Sequence, residues 1–181
     1  MTQKTKGSLI IIGGAEDKYG ESKILKHIIK VTGGEEARLV VLTTATEKPE
    51  SVGSEYKKIF EKLGAKQTEI LNVNTRDDAN NDDNAEKIRA STGVFFTGGD
   101  QLRITSILGG TKVYAAMQAA YDKGTVIAGT SAGASAMSNN MIVDGNSNDS
   151  ARKCTLKMAP GLGLLQDAII DQHFAQRGRI G

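Results

Sequence analysis

Residues 124–133 read GTVIAGTSAG, and this segment decides the fold. Its first half, residues 125–128, is a short β-branched run that is apolar on both faces, as in a strand buried within a parallel sheet. Its second half matches the G-x-S-x-G nucleophile elbow, in which a strand turns sharply into a helix and presents a serine hydroxyl. The pattern predicts an α/β fold with Ser131 as a nucleophile. An ordinary strand-helix turn with a capping serine is the alternative interpretation.

Short apolar runs of the same kind alternate with helical patterns along the whole chain. This alternation predicts one α/β hydrolase-type domain, residues 1–181, with a doubly wound, mostly parallel sheet of flavodoxin-like or class I glutamine amidotransferase-like type. Amidotransferase domains use cysteine at the elbow, whereas position 131 is serine. The predicted strands are residues 8–12, 38–43, 68–73, 93–97, 125–128 and 168–171. The predicted helices are residues 22–31, 49–63, 83–89, 100–108 and 111–123.

The composition argues against several classes of protein. A hydrophobic fraction of 39% and a charged fraction of 24% suit a single globular core. The net charge is only +2, and no run of Lys and Arg alternates with aromatic residues, so nucleic acid is not an expected partner. No stretch approaches the roughly 20 apolar residues of a membrane span, and the single Cys154 has no internal disulfide partner. We therefore expect a cytoplasmic protein that does not enter a membrane.

Two segments carry no periodic pattern. Residues 74–84, NTRDDANNDDN, are polar throughout and are interpreted as a surface loop. Four aspartates in this segment are potential Ca²⁺ ligands, but their spacing lacks the glycine and the closing glutamate of a calcium-binding loop. Residues 141–160 are irregular. With two histidines and one cysteine in the chain, no ligand cluster is evident, so we expect neither a metal nor a cofactor.

Parallel sheets place their active sites at the carboxyl ends of the strands, where this chain has four distinctive segments. These segments are GGAED at 13–17, GGDQ at 98–101, GTSAG at 129–133 and DQH at 171–173. Because His173 follows an apolar run, it is the candidate general base for Ser131. His27 lies within a helical pattern and is expected at the surface. A structural role for His173 is the alternative interpretation.

An oxyanion hole requires two hydrogen-bond donors next to the nucleophile. The backbone N–H of Ala132 is one candidate, and the N–H of Gly98 or Gly99 is the second. A simple turn explains the two glycines equally well. Asp17 and Asp100 are candidates for helix capping, which we favour for Asp100.

Arg177 and Arg179 follow the candidate base closely. Guanidinium groups bind carboxylates in a bidentate manner, so this pair predicts an acidic group on the substrate. A solvated helix face is the alternative interpretation of the same two charges.

Together, GGAED, FTGGDQ, GTSAGAS and DQHFAQRGRIG resemble the cyanophycinase family of serine peptidase-like enzymes, which also includes aspartyl dipeptidase. The resemblance implies Ser131 as nucleophile and His173 as general base. It also implies a substrate-binding set, which is Gln101, Asp171, Gln172, Arg177 and Arg179. The implied substrate is cyanophycin, a polyaspartate backbone with arginine on each side-chain carboxyl, cut to β-aspartyl-arginine dipeptides through an acyl-enzyme on Ser131. Asp171 or Asp17 would meet the substrate guanidinium, while Arg177 and Arg179 would meet aspartyl carboxylates.

In the family, a glutamate beyond the histidine orients it, whereas this chain stops at Gly181. We therefore expect a domain truncated at its C-terminal end, with a separate C-terminal chain as a possible companion that completes the fold. An aspartyl or isoaspartyl dipeptidase and a catalytically incomplete fragment are the alternatives. The family resemblance also implies a homodimer.

Overall fold

A five-stranded sheet forms the centre of the computed structural model, which describes residues 6–145 and 156–173. Every pair of neighbouring strands in it is parallel, which confirms the predicted α/β class. Its spatial order is β1-β5-β4-β2-β3, so β1 lies at an edge beside the strand that leads into the elbow. The strands are β1 (Leu9–Ile12), β2 (Arg38–Leu42), β3 (Gln67–Leu71), β4 (Gly93–Phe96) and β5 (Val126–Thr130).

Helices cover both faces of this sheet, as the predicted doubly wound arrangement requires. They are α1 (Lys23–Val31), α2 (Pro49–Lys62), α3 (Arg76–Ala79), α4 (Asp82–Ala90), α5 (Gln101–Leu108), α6 (Lys112–Tyr121) and α7 (Ala132–Ser135), with a 3-10 turn at Gly34–Glu36. Strand side chains alternate between two cores. Leu39, Val41 and Phe95 pack with α1 and α2, whereas Val40 and Phe96 pack with the core formed by α4, α5, α6 and α7. Burial on both faces explains the apolar runs of the central strands β2 and β4, whereas the edge strand β3, QTEIL, keeps polar residues.

The predicted sixth strand, residues 168–171, is wrong. This segment has no strand conformation, and Ile169 in it is 52% exposed. The backbone of Ile170 is bound by side chains instead of by a neighbouring strand. Its N–H donates to Ser138 Oγ and its carbonyl accepts from Ser135 Oγ, each at 3.2 Å. These two contacts hold the segment against the residues that follow the elbow.

Two other predictions need correction. Residues 74–84 do not form a loop throughout, because they contain α3 and the start of α4. Thr75 and Asp78 form a capping box, and the Asn81 side chain accepts hydrogen bonds from the first turn of α4. In the region predicted to be irregular, β6 (Asn140–Gly145) pairs antiparallel with β7 (Leu156–Pro160).

Residues 6–145 and 156–173 include no helix long and apolar enough to cross a membrane.

Candidate active site

Ser131 lies at a sharp turn between β5 and the four-residue helix α7. Its backbone has φ 53° and ψ −114°, a conformation that L-residues rarely adopt outside strained sites. The flanking glycines are required by space. A Cβ at Gly129 would lie 2.7 Å from the Gly133 carbonyl, and a Cβ at Gly133 would lie 2.5 Å from Phe96 Cβ. The segment therefore has the geometry of a nucleophile elbow.

Two neighbours contact the Ser131 hydroxyl. His173 Nε2 lies 2.9 Å from Ser131 Oγ, and the hydroxyl also donates to Gln172 Oε1. A hydroxyl has one hydrogen to donate, so Gln172 and His173 compete for it. When the hydrogen points at Gln172, His173 Nε2 can contact Oγ only as a donor. When it points at His173, the imidazole is placed to accept the proton as a general base.

His173 is held against the loop that follows β1. The backbone N–H of His173 donates to the Gly13 carbonyl at 2.9 Å, and the φ angle of His173 is 51°. The imidazole lies directly over Gly14, where a Cβ would fall 2.3 Å from His173 Cε1. Gly14 also has φ 118°, a second reason for glycine at this position. The first glycine pair of the chain therefore makes room for the candidate base.

The predicted oxyanion donors include the backbone of Gly98, which lies close to Ser131. A Cβ at Gly98 would be 3.4 Å from Ser131 Cβ, so the Gly98 backbone packs against the nucleophile. Gly99 has φ 145°, and a Cβ there would lie 2.1 Å from the Ala45 carbonyl oxygen. Within residues 6–145 and 156–173, the N–H groups of Gly98, Gly99 and Ala132 have no hydrogen-bond acceptor. Asp100 caps α5 by accepting from the Leu102 N–H at 2.8 Å.

Three of the proposed substrate-binding residues lie within the part of the chain that the structure describes. Gln101 and Gln172 are buried, and Gln172 Nε2 donates to Gln101 Oε1 at 3.3 Å. Gln101 Nε2 in turn donates to the Ile142 carbonyl at 2.8 Å, which connects the β6–β7 pair to the Ser131 contacts. Asp171 is half-buried beside Gln172. Arg177 and Arg179 lie outside the described residues.

Glu16, the fourth residue of the GGAED segment, contacts the residue before the nucleophile. Its carboxylate accepts from Thr130 Oγ1 at 2.5 Å and from the Tyr56 hydroxyl. Burial, followed by the hydrogen bond to Glu16, raises the pKa of Tyr56, so this hydroxyl remains a neutral donor. The only signal available in the sequence was the position of Glu16 after a strand, which it shares with Asp17.

Asp17 stabilises the loop in which it lies. Its carboxylate accepts from the N–H groups of Ser22, Gly20 and Tyr19, and these backbone bonds, led by Ser22, lower the pKa of Asp17. His27 is exposed on α1, as expected. Across the part of the chain that the structure describes, no group of three or more His, Cys, Asp or Glu side chains is arranged to hold a metal ion.

Known proteins with similar sequences are peptidases. The profile of peptidase family S51 matches residues 9–180. The cyanophycinase of Trichormus variabilis is 38% identical over 180 residues, which cover 99% of this chain and 60% of that protein. The cyanophycinase of Geminocystis herdmanii is 36% identical over 181 residues, covering 99% and 66% of the two chains. This chain therefore spans about 60% of the length of the Trichormus relative.

Solved structures show the same fold. A peptidase from an acI-B1 actinobacterium superposes with a TM-score of 0.75 at 23% identity, covering 96% of this chain and 71% of the other. A putative peptidase E from Listeria monocytogenes EGD-e superposes with a TM-score of 0.65 at 19% identity, covering 97% and 85%. The family match extends over nearly the whole chain and includes every segment of the candidate site. The chain belongs to peptidase family S51.

Proposed function

We propose that this protein is a serine-type exopeptidase that hydrolyses cyanophycin to β-Asp-Arg dipeptides. The observation that carries the proposal is the 2.9 Å contact between Ser131 Oγ and His173 Nε2 on a strained elbow. Membership of family S51 and the similarity to cyanophycinases support the same activity. We further propose a cytoplasmic location, as the composition and the single Cys154 led us to expect.

The proposed reaction begins with transfer of the Ser131 proton to His173 Nε2 as Oγ attacks the scissile carbonyl carbon. The carbonyl oxygen becomes an oxyanion next to the N–H groups of Ala132 and of Gly98 or Gly99. Collapse of this intermediate breaks the C–N bond, and His173 returns the proton to the departing amine. Water, deprotonated by His173, then hydrolyses the acyl-enzyme on Ser131 and regenerates the hydroxyl.

Substrate recognition is proposed for Gln101, Asp171, Gln172, Arg177 and Arg179. An aspartate such as Asp171 suits the guanidinium of an arginyl side chain, and arginines suit carboxylates. The contact between Gln172 and Ser131 Oγ supports a place for Gln172 beside the scissile bond. Substrate entry would then displace the Gln172 amide from the hydroxyl and leave His173 as its acceptor.

The test is dipeptide release from purified cyanophycin, measured by chromatography and mass spectrometry. We expect β-Asp-Arg from the native chain and none from Ser131→Ala, with unchanged circular dichroism. Aspartyl and isoaspartyl dipeptides serve as competing substrates in the same assay. Faster cleavage of a dipeptide than of the polymer would favour the dipeptidase alternative, and equal activity of Ser131→Ala would contradict the nucleophile.

A homodimer and a separate C-terminal companion chain remain predictions from the resemblance. Sedimentation velocity measures the first. Adding the C-terminal segment of a cyanophycinase relative to the assay measures the second, since a required companion would raise the rate of dipeptide release.

A further inference from the structure

We propose that Glu16 is a positioning residue that sets the distance between the nucleophile and its base. The proposal rests on the proposed function in one respect, namely that Ser131 and His173 act as a catalytic pair. The carboxylate of Glu16 binds Thr130 and Tyr56, and it acts through the two backbone segments that carry the reacting atoms.

The two carboxylate oxygens of Glu16 bind two different parts of the fold. Oε2 accepts from Thr130 Oγ1 at 2.5 Å, and Thr130 is the residue directly before Ser131. Oε1 accepts from the Tyr56 hydroxyl of α2. Hydrogen bonds to an ionised carboxylate are stronger than those between neutral groups, so Glu16 joins the end of β5 firmly to α2.

Tyr56 provides a rigid attachment point. Its side chain is buried, and its ring lies 4.7 Å from the Phe95 ring, measured between centroids. Lys18 Nζ lies 4.4 Å from the centroid of the Tyr56 ring, and Lys18 also pairs with Glu55 at 3.0 Å. Aromatic packing inside a closely packed core leaves a side chain little freedom to move. Glu16 is therefore fixed at the Tyr56 end by the core itself.

The loop that contains Glu16 also supports the candidate base. His173 binds the Gly13 carbonyl and lies over Gly14, two residues before Glu16. The Ser131 N–H donates to the carbonyl of Ile12, the last residue of β1, at 2.9 Å. Residues 12–16 thus bind the backbones of both Ser131 and His173. Because Glu16 holds this stretch to Thr130, it fixes the position of Ser131 relative to His173.

The hydrogen bonds of Glu16 distinguish positioning from substrate contact. Each of its oxygens already accepts from a buried hydroxyl, which directs the carboxylate toward the protein. Active groups must be held within about 0.5 Å of their productive geometry, and a misplacement of about 1 Å can reduce the rate roughly 100-fold. Loss of Glu16 should therefore reduce kcat and leave KM nearly unchanged.

The first arm of the experiment needs no substrate. The chain has two histidines, so a long-range ¹H–¹⁵N spectrum contains two imidazoles, and His27→Gln assigns them. Ser131→Ala provides the reference spectrum for a His173 that has lost its contact with the hydroxyl. We expect Glu16→Ala to move the His173 ring signals toward this reference. Glu16→Gln should retain the native signals, because an amide accepts from one hydroxyl and donates to the oxygen of the other.

The second arm measures kinetics on the substrate that the native chain cleaves. Glu16→Ala should lower kcat by about 10- to 100-fold with KM within about twofold of the native value, and Glu16→Gln should recover most of the rate. Tyr56→Phe removes one of the two hydrogen bonds of Glu16 and should give an intermediate loss of kcat. This variant also provides the test if Glu16→Ala does not fold. The control is Asp78→Ala, which removes a helix-capping carboxylate in α3 and should leave kcat unchanged.

Unchanged His173 signals in Glu16→Ala and in Tyr56→Phe would overturn the proposal. A fall in kcat/KM that comes entirely from a higher KM would also overturn it and would make Glu16 a substrate contact. The proposed substrate can fail independently of this proposal. If the native protein releases no β-Asp-Arg, the proposed substrate is refuted. The positioning role is still supported if the His173 signals are native in Glu16→Gln and shifted in Glu16→Ala.

Discussion

At the scale of single residues, the candidate site depends on backbone conformations that few side chains tolerate. Ser131 and His173, the two residues proposed for catalysis, both have positive φ angles. Such conformations cost free energy and persist only where the surrounding contacts hold them. Here the contacts are the Ile12 and Gly13 carbonyls, which bind the N–H groups of Ser131 and His173.

Gly14 gives a direct test of this support. Gly14→Ala would place a methyl group 2.3 Å from His173 Cε1, so the imidazole must move away from Ser131. We expect kcat to fall by about 100-fold, as for other displacements of about 1 Å. Gly64→Ala is the matched control, since Gly64 also has a positive φ, of 96°, but open space around it. Both variants should lose stability, measured by urea denaturation, and an equal loss of kcat in both would contradict the role of Gly14.

The pH dependence of activity tests His173. A protonated imidazole cannot accept the Ser131 proton, so the rate should fall on the acid side of the pH profile. His27→Gln should leave the profile unchanged, because His27 is exposed on α1. The measurement is kcat/KM between pH 5 and pH 9. A flat profile on the acid side would show that His173 is not the general base.

At the scale of secondary structure elements, sequence patterns identified every strand of the parallel sheet. Four of the five are largely apolar runs, and the edge strand β3, QTEIL, still ends in an apolar pair. Sequence patterns failed where other interactions replace strand pairing. Residues 168–171 have the composition of a strand, but Ser135 and Ser138 bind the Ile170 backbone. The β7 strand ends in Pro160, and proline is a signal against strand structure.

The same comparison applies to the candidate site. Local motifs indicated Ser131 and the glycines, since each motif carries its own backbone requirement. The contacts of Gln172 with Ser131 and of Glu16 with Thr130 join residues 41 and 114 positions apart. Contacts at such separations depend on how the elements pack, and no local pattern specifies them. The Asp and Asn residues at 74–84 were interpreted as loop residues, although the Asp78 and Asn81 side chains take part in capping α3 and α4.

The capping box of α3 predicts a pH-dependent contribution to stability. The Thr75 side chain, followed by the Asn74 N–H, lowers the pKa of Asp78. A carboxyl with a lowered folded-state pKa stabilises the fold above its unfolded pKa, and this contribution disappears as the pH falls through the folded pKa. Asp78→Ala should therefore reduce the free energy of unfolding by roughly 0.5 kcal/mol at pH 7, because Asp78 is exposed to screening by solvent, and by less near pH 3. Urea denaturation at both pH values measures this, and a pH-independent difference would contradict it.

At the scale of the whole molecule, the two cores position the candidate site without contributing chemistry to it. The core with α1 and α2 fixes Tyr56, and through Glu16 it reaches the end of β5. The opposite core contains Ala132 and Ala136, and so it anchors the helix that follows Ser131. Ser131 is therefore anchored from both faces of the sheet, through Thr130 on one side and through α7 on the other.

The most direct test of the central claim is intact-mass analysis after treatment with a fluorophosphonate, which modifies activated serine hydroxyls. We expect a single adduct that peptide mapping assigns to Ser131, absent in Ser131→Ala and formed at least about 100-fold more slowly in His173→Ala. Ser51→Ala, which changes an exposed serine on α2 away from the elbow, should react like the native protein. Modification at another serine, or equal rates with and without His173, would contradict the assignment of Ser131 as the nucleophile and His173 as its base.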